Sequence, residues 1–228
     1  MLRLRQAVLA ARDLDATVAR LRETLPLADP FADPGVAHFG LRNAVMALGD
    51  TFVEVVSPVQ EGTAAGRHLD RRGDGGYMVM FQVDDLGGAR ERAERLGIRT
   101  VWDLELPDIV DVHLHPRDIG AAIVAVDRCD PPEGWRWGGP AWEGRAPANV
   151  AAGGITGATL RSPDPEALAQ RWGEVLGRPP EDGVIALDVG GELRFVSGES
   201  EGIEAFHAAL PSRTGESAEV GGVRFELG

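Results

Sequence analysis

One pattern comes round three times in this chain and decides most of what the chain can become. "QAVLAARDLDATVARLRETL" from Gln6, "MVMFQVDDLGGARERAERLG" from Met78 and "GATLRSPDPEALAQRWGEVLG" from Gly157 share one layout. Each runs as a short alternating stretch, then an aspartate, then an amphipathic stretch. Alternation at period two is a strand signal, and apolar residues three and four apart are a helix signal. Leu14, Val18, Leu21 and Leu25 keep helical spacing, as do Leu86, Ala89, Ala93 and Leu96, and Leu168, Trp172 and Val175. Asp13, Asp85 and Asp164 stand where a helix needs a side chain to accept one of its free N–H groups. Pro165 takes the first helical position, where a missing N–H costs nothing.

Strand-like runs follow each helix. They are "GVAHFGLR", "NAVMALGD" and "TFVEVVSP" after the first, "RTVWDLEL", "IVDVHLHP" and "AAIVAVDR" after the second, and "GVIALDV" and "ELRFVSG" after the third. Each unit therefore reads β-α-β-β-β. "GIEAFHAALP" and "GVRFELG" predict the first and last strands of a fourth unit whose helix is missing or reduced. The fold class is α+β. Such a unit carries a helix on one face of its sheet and leaves the other face bare and curved. Two units can pair into a mixed-sheet half-barrel whose curved faces enclose one cavity. The expected organisation is a paired module over residues 1–128 (units 1–58 and 76–128), a connector over 129–152, and a degenerate second pair over 153–228. Trp135, Trp137 and Trp142 make that connector too apolar to be a free linker, and they are expected to pack the two halves together.

Charge and composition remove several functions. The net charge of −13 denies the chain the basic footprint that nucleic-acid binding needs. Every positive side chain is arginine. The absence of lysine excludes Schiff-base catalysis by a lysine amine and a P-loop. The single cysteine, Cys129, cannot form an internal disulfide, which fits a reducing cytoplasm. It reads as a turn residue rather than a nucleophile. No apolar run approaches the roughly 20 residues of a membrane span. The start, "MLRLRQAVLAARDLD", lacks the apolar core and cleavage site of a signal peptide and reads as a strand.

Strand faces locate a candidate site. Leu4, Gln6, Val8 and Ala10 share one face of the first strand, and Leu9 and Ala11 lie opposite. By repeat, Met78, Met80 and Gln82 face the cavity, as do Phe52, Glu54 and Val56 on "TFVEVVSP". In "DVHLHPRDIG", apolar Val110, Val112 and Leu114 suit the helix side, which turns Asp111, His113 and His115 to the cavity. Histidines two apart on a strand stand about 6.5–7 Å apart at Cα and can reach one ion. With Glu54 they would make a two-histidine, one-carboxylate set. The competing reading is that they hydrogen-bond to neighbours or to a polar ligand. Glu54, in an apolar run, is either a general base whose pKa burial raises or a carboxylate paired with an arginine such as Arg42. Asn43, by the turn "FGLRN", either serves the turn or reaches the ligand; His38 sits near the cavity mouth. Arg67, Arg71 and Arg72 read as a solvated connector. Met78 and Met80 favour a hydrophobic or aromatic ligand.

Three stretches carry a family resemblance: "FVEVVSP", "MFQVDDL" and "HLHPRDIGAAIVAV". Together with the repeats they resemble the vicinal oxygen chelate superfamily of glyoxalases, extradiol dioxygenases, bleomycin-resistance proteins and epimerases. "HFGLRNAVMALGDTFVEVVSP" is similar to its glyoxalase-like members. The resemblance implies a divalent metal held from the first and last strands of two paired units. Its positions fall on Gln6, Glu54, Met78 and Ala125, and the chain departs from the pattern at the last two. The cofactor is therefore open. The leading expectation is an enzyme of lyase or isomerase type acting on a small carbonyl or oxygenated compound. Glu54 would be base or ligand, Gln6 its partner, and His113 and His115 accessory. A metal-free protein that sequesters a drug or metabolite is the alternative, and an extradiol dioxygenase comes third. Gly157 stands where Gln6 stands, so the second half is read as structural or as a homodimer surface.

Overall fold

The computed structural model describes residues 1–147, 153–210 and 212–228, so the end of the expected connector, 148–152, lies outside the described residues. The first unit holds β1 (Leu2–Ala10), α1 (Leu14–Thr24), β2 (Leu41–Leu48) and β3 (Thr51–Pro58). After a short helix, α2 (Ala64–Arg72), the second holds β4 (Gly75–Val83), α3 (Leu86–Arg95), β5 (Thr100–Leu106), β6 (Ile109–Leu114), a single turn α4 (Pro116–Ile119) and β7 (Ile123–Cys129). The third holds β8 (Gly154–Ser162), α5 (Pro165–Leu176), β9 (Val184–Ala186) and β10 (Glu192–Ser197). The chain finishes with β11 (Gly202–Ala209), β12 (Glu216–Val220) and β13 (Val223–Leu227), with no helix between them. Asp13, Asp85 and Asp164 each cap a helix, accepting from the N–H of Ala16, Gly88 and Ala167.

The strands form two mixed sheets. The first runs β2-β3-β1-β4-β7-β6-β5 and the second β12-β13-β11-β8-β10-β9. In the first, β1 and β4 pair antiparallel at the centre, and each has a parallel neighbour, β3 or β7. The sheet is thus a pair of units related by a pseudo-twofold axis between β1 and β4. The second sheet repeats the scheme with β8 and β11 at its centre.

One expected strand is corrected here. "GVAHFGLR" is not a strand. Pro34–Phe39 is a 3-10 helix, because Asp33 accepts from the Gly35 N–H, Pro34 fixes the first position, and Gly40 ends it at φ 69°. Only Phe31, bridged to Val45, marks the missing strand. The arginine-bearing connector is solvated as expected and includes a helix: Thr63 caps α2, which buries Ala65 and Leu69 and leaves Arg67, Arg71 and Arg72 exposed.

The main core lies on the helix side and is continuous through both halves. Trp172 of α5 is fully buried between Phe81 of the first half (ring centroids 6.3 Å) and Phe195 of the second (6.0 Å). The connector tryptophans do not join the halves. Trp135 and Trp142 pack on Phe52 in a separate cluster on the curved face of the first sheet. Their flat rings cover apolar surface that the unit's own helices leave bare.

Candidate active site

The curved face of the first sheet encloses a cavity of about 310 Å³. Gln6, Val8, Asn43, Glu54, Met78, Met80, Asp111 and His113 line it, with Trp102 and Trp137. The strand period delivers Val8, Phe52, Val56, Met78 and Met80 to this face and Ala7, Leu9, Val53, Val55, Val79 and Phe81 to the other.

Glu54 is 7 % exposed and sits in a network whose direction is fixed by its ends. The indole N–H of Trp135 donates to Gln6 Oε1 at 2.7 Å, so Gln6 Nε2 must face Glu54, which it meets at 2.7 Å. The backbone N–H of Asp33 donates to Asn43 Oδ1 at 2.9 Å, so Asn43 Nδ2 faces the other Glu54 oxygen at 2.6 Å. An indole and a backbone N–H can only donate, and neither amide can flip without leaving a donor unmet. Glu54 therefore receives one N–H at each oxygen. Burial raises its pKa, and the bonds from Asn43 and Gln6 partly oppose the rise. It is not paired with Arg42, which is exposed and bonded to Asp15.

The facing wall carries a second acidic group. Asp111 and Asp127 are cross-strand partners on β6 and β7, both buried. Burial and then the adjacent Asp111 hold the Asp127 carboxyl well above the usual carboxylate range, which favours its protonated form in the folded chain. His113 Nε2 lies 3.0 Å from Asp111 Oδ1, though without the alignment of a hydrogen bond. The pseudo-twofold relates this group to the first: Val8 stands opposite Glu54 and Met80 opposite Ala125, while Asn43 stands opposite Val56 and Asp111 opposite Asp127. The carboxyl absent at Ala125 thus recurs one pleat further along the strand, at Asp127.

The proton has a testable cost. The folded chain holds it, whereas an unfolded aspartate releases it near pH 4, at a pKa of about 3.9. The site's stabilising contribution is full below that value and is lost as pH rises through the folded pKa of Asp127. Asp127→Asn would supply a permanent N–H in its place. Between about pH 5 and pH 9, the melting temperature of the wild type is expected to fall relative to that variant. Parallel curves would refute the raised pKa of Asp127.

Several residues fall elsewhere than the sequence suggests. His115 does not reach the cavity; it caps α4, accepting from the Arg117 N–H, and lies beside Arg99. The proposed triad of Glu54, His113 and His115 is therefore not assembled. The strand simply ends at Leu114, so alternation fails at its next step. Gln82 faces the expected side but is covered, bonded to Arg5 and to the Pro132 carbonyl. Leu4 packs on the helix side, because the β1–β4 register slips between Leu4 and Gln6. That bulge turns Arg5 inward, where burial lowers its pKa to about 10. Arg5 lies 5.4 Å from the Trp135 ring and donates to the Glu133 carbonyl, tying the connector to the sheet. His38 is exposed at the mouth, 5.2 Å from the Trp102 ring. Burial pushes the Cys129 thiol up to about 12, which keeps it protonated at neutral pH.

The donor set does not suit a hard divalent cation at the position the resemblance implies. The Gln6 oxygen is engaged by Trp135, both Glu54 oxygens face amide N–H groups, and Met78 and Ala125 offer no oxygen or nitrogen. Among the described residues, no three His, Cys, Asp or Glu side chains converge as a metal site. In the second half a Cβ at Gly157 would lie 2.0 Å from the Glu192 carbonyl oxygen, so that position cannot carry a counterpart of Gln6.

No curated protein matches the chain in sequence. Methylmalonyl-CoA epimerase from Mycobacterium tuberculosis is 22% identical, covers 57% of this chain and 89% of its own, and superposes with a TM-score of 0.49. The Streptomyces coelicolor epimerase gives 21%, 56%, 96% and 0.49. A variant of 4-hydroxymandelate synthase from Streptomyces coelicolor is 12% identical, covers 92% of this chain and 72% of its own, and reaches 0.67, which shows that both halves of the fold recur there. The model of the glyoxalase-like domain matches residues 7–176, most of the chain. The chain belongs to the glyoxalase-like domain family, and so to the vicinal oxygen chelate superfamily that its repeats resemble.

Proposed function

We propose that this protein is an enzyme of lyase or isomerase type that removes a proton next to a carbonyl group of a small, mostly apolar compound. The observation that carries this reading is Glu54, a buried carboxylate whose two oxygens are aimed by locked amides in an otherwise apolar cavity. A carboxylate with a raised pKa is a stronger base than one in water, and fixed neighbours spare it reorganisation during proton transfer. Glu54 takes the proton, and Gln6 and Asn43 position it. His113, on the facing wall, is placed to donate to the carbonyl oxygen as negative charge gathers there. Residues of this chain carry each of these roles, and no step runs through a metal.

The test is deuterium exchange. Small aryl ketones and hydroxyketones incubated with the protein in D₂O are expected to lose their α-proton NMR signal faster than in buffer. A second reading, a metal-free binding protein, is favoured by Met78 and Ala125, which leave the second unit without counterparts of Gln6 and Glu54. Compounds that bind but never exchange would select it. No helix among the described residues is long and apolar enough to cross a membrane, so a dissolved small molecule is the partner we favour.

A further inference from the structure

The cavity has an unbalanced charge. The chain contains no lysine, and among the described residues no arginine lines the cavity, yet Glu54, Asp111 and Asp33 do. The charged groups that act on Glu54 are Asp33 and His113, with no arginine among them. His113 is the single lining group able to become positive, and its Nε2 is already 3.0 Å from Asp111. A protonated His113 would therefore offset Asp111 and leave Glu54 without a counter-ion. Buried charge without a partner is costly. A second, separate observation points the same way. Four aromatic rings line the same space, Phe39, Tyr77, Trp102 and Trp137, and the faces of such rings attract cations. Phe39 and Trp102 sit edge to face at 4.9 Å at the mouth. Asp111, 3 % exposed, has an Oδ1 with no hydrogen-bond partner among protein donors.

We infer that the ligand of this cavity is a small organic cation, a protonated amine on an aromatic or branched aliphatic body, its nitrogen beside the Asp111 carboxyl, its positive charge balancing Glu54 across the cavity, and its body against the tryptophan rings. This deepens the functional reading above, from which it takes the cavity as the ligand site. Anionic compounds are disfavoured: no guanidinium or ammonium group waits for a phosphate or a carboxylate. A cationic substrate also answers a difficulty of the proposed chemistry, because enolate charge forming beside Glu54 would be balanced by the ligand's own nitrogen.

Three probes of matched size separate the charge from the shape: phenethylamine, phenethyl alcohol and phenylacetate. Each is titrated into the full-length protein at about pH 8, where an alkylamine is positive and a carboxylic acid negative, and binding is followed by tryptophan fluorescence and calorimetry. The amine is expected to bind at least about tenfold more tightly than the alcohol, with phenylacetate weakest. In Asp111→Asn that preference is expected to shrink. Equal or tighter binding of the alcohol or the acid would overturn the inference. So would a preference unchanged in both Asp111→Asn and Glu54→Gln, which would put the amine on the acidic surface. Failure of all three to bind at millimolar concentration would overturn it as well. Binding is read here without turnover, and exchange can be read with neutral ketones, so either proposal can fail while the other stands.

Discussion

Glutamine in place of Glu54 is expected to slow α-proton exchange by about 10²- to 10⁴-fold, the usual contribution of a positioned base. The substitution keeps size and shape and removes the basic oxygen pair. It also reverses one hydrogen bond. Gln6 and Asn43 both present N–H groups at this point, and both are locked from behind by Trp135 and the Asp33 N–H. The new amide can accept from one of them but must turn its own N–H groups toward the other. A stability loss of about 1–3 kcal/mol should accompany the catalytic loss, as for other buried donors left unmet. The two effects separate in measurement: the melting temperature reports the first, and exchange measured well below it reports the second. Neutral ligands should still bind, because the apolar walls are untouched. A variant that exchanges at the wild-type rate would remove Glu54 from the chemistry.

Trp172→Ala is expected to cost about 3–5 kcal/mol, the range for deleting a large buried aromatic side chain. The indole is fully buried, touches Phe81 in one half and Phe195 in the other, and donates to the Gly120 carbonyl at 3.3 Å. Its loss opens a void in the one core that both sheets share. Denaturant unfolding should remain a single transition, shifted as a whole, because the helix-side core runs unbroken through both halves. A shift below about 1 kcal/mol, or a new transition confined to one half, would contradict this account.

The repeated units were legible because their signals are local. A capping aspartate, a helical stripe and alternating strands all act within about twenty residues, and all three repeats carry them. Glu54 and Gln6 were legible for the same reason, since strand period fixes their face. What stayed hidden depends on events between distant strands or on one break in a period. Arg5 is buried inward by a register slip against β4 that nothing in "MLRLRQ" announces. Asp127 looks like the polar end of a strand until β6 sets Asp111 beside it. His115 obeyed alternation on paper, but the strand had already ended and the residue was needed to cap a turn. The tryptophan segment was rightly read as too apolar to be free, yet its partner, the bare curved face over Phe52, is a tertiary surface that no local pattern names. The short run Pro34–Phe39 carried a warning that alternation outweighed: an Asp-Pro-Gly start is a helix cap before it is a strand.

The offset between the two acids has a stereochemical consequence. If both units had kept a carboxyl in matching places, at Glu54 and at the position of Ala125, each end of the cavity would have presented an acid at the same depth. With the second acid displaced by a pleat to Asp127 and backed by Asp111, the two ends differ. On the proposed reaction, a base at one end alone predicts that one of two enantiotopic hydrogens exchanges faster than the other in D₂O, which NMR of a substrate with a prochiral CH₂ would read.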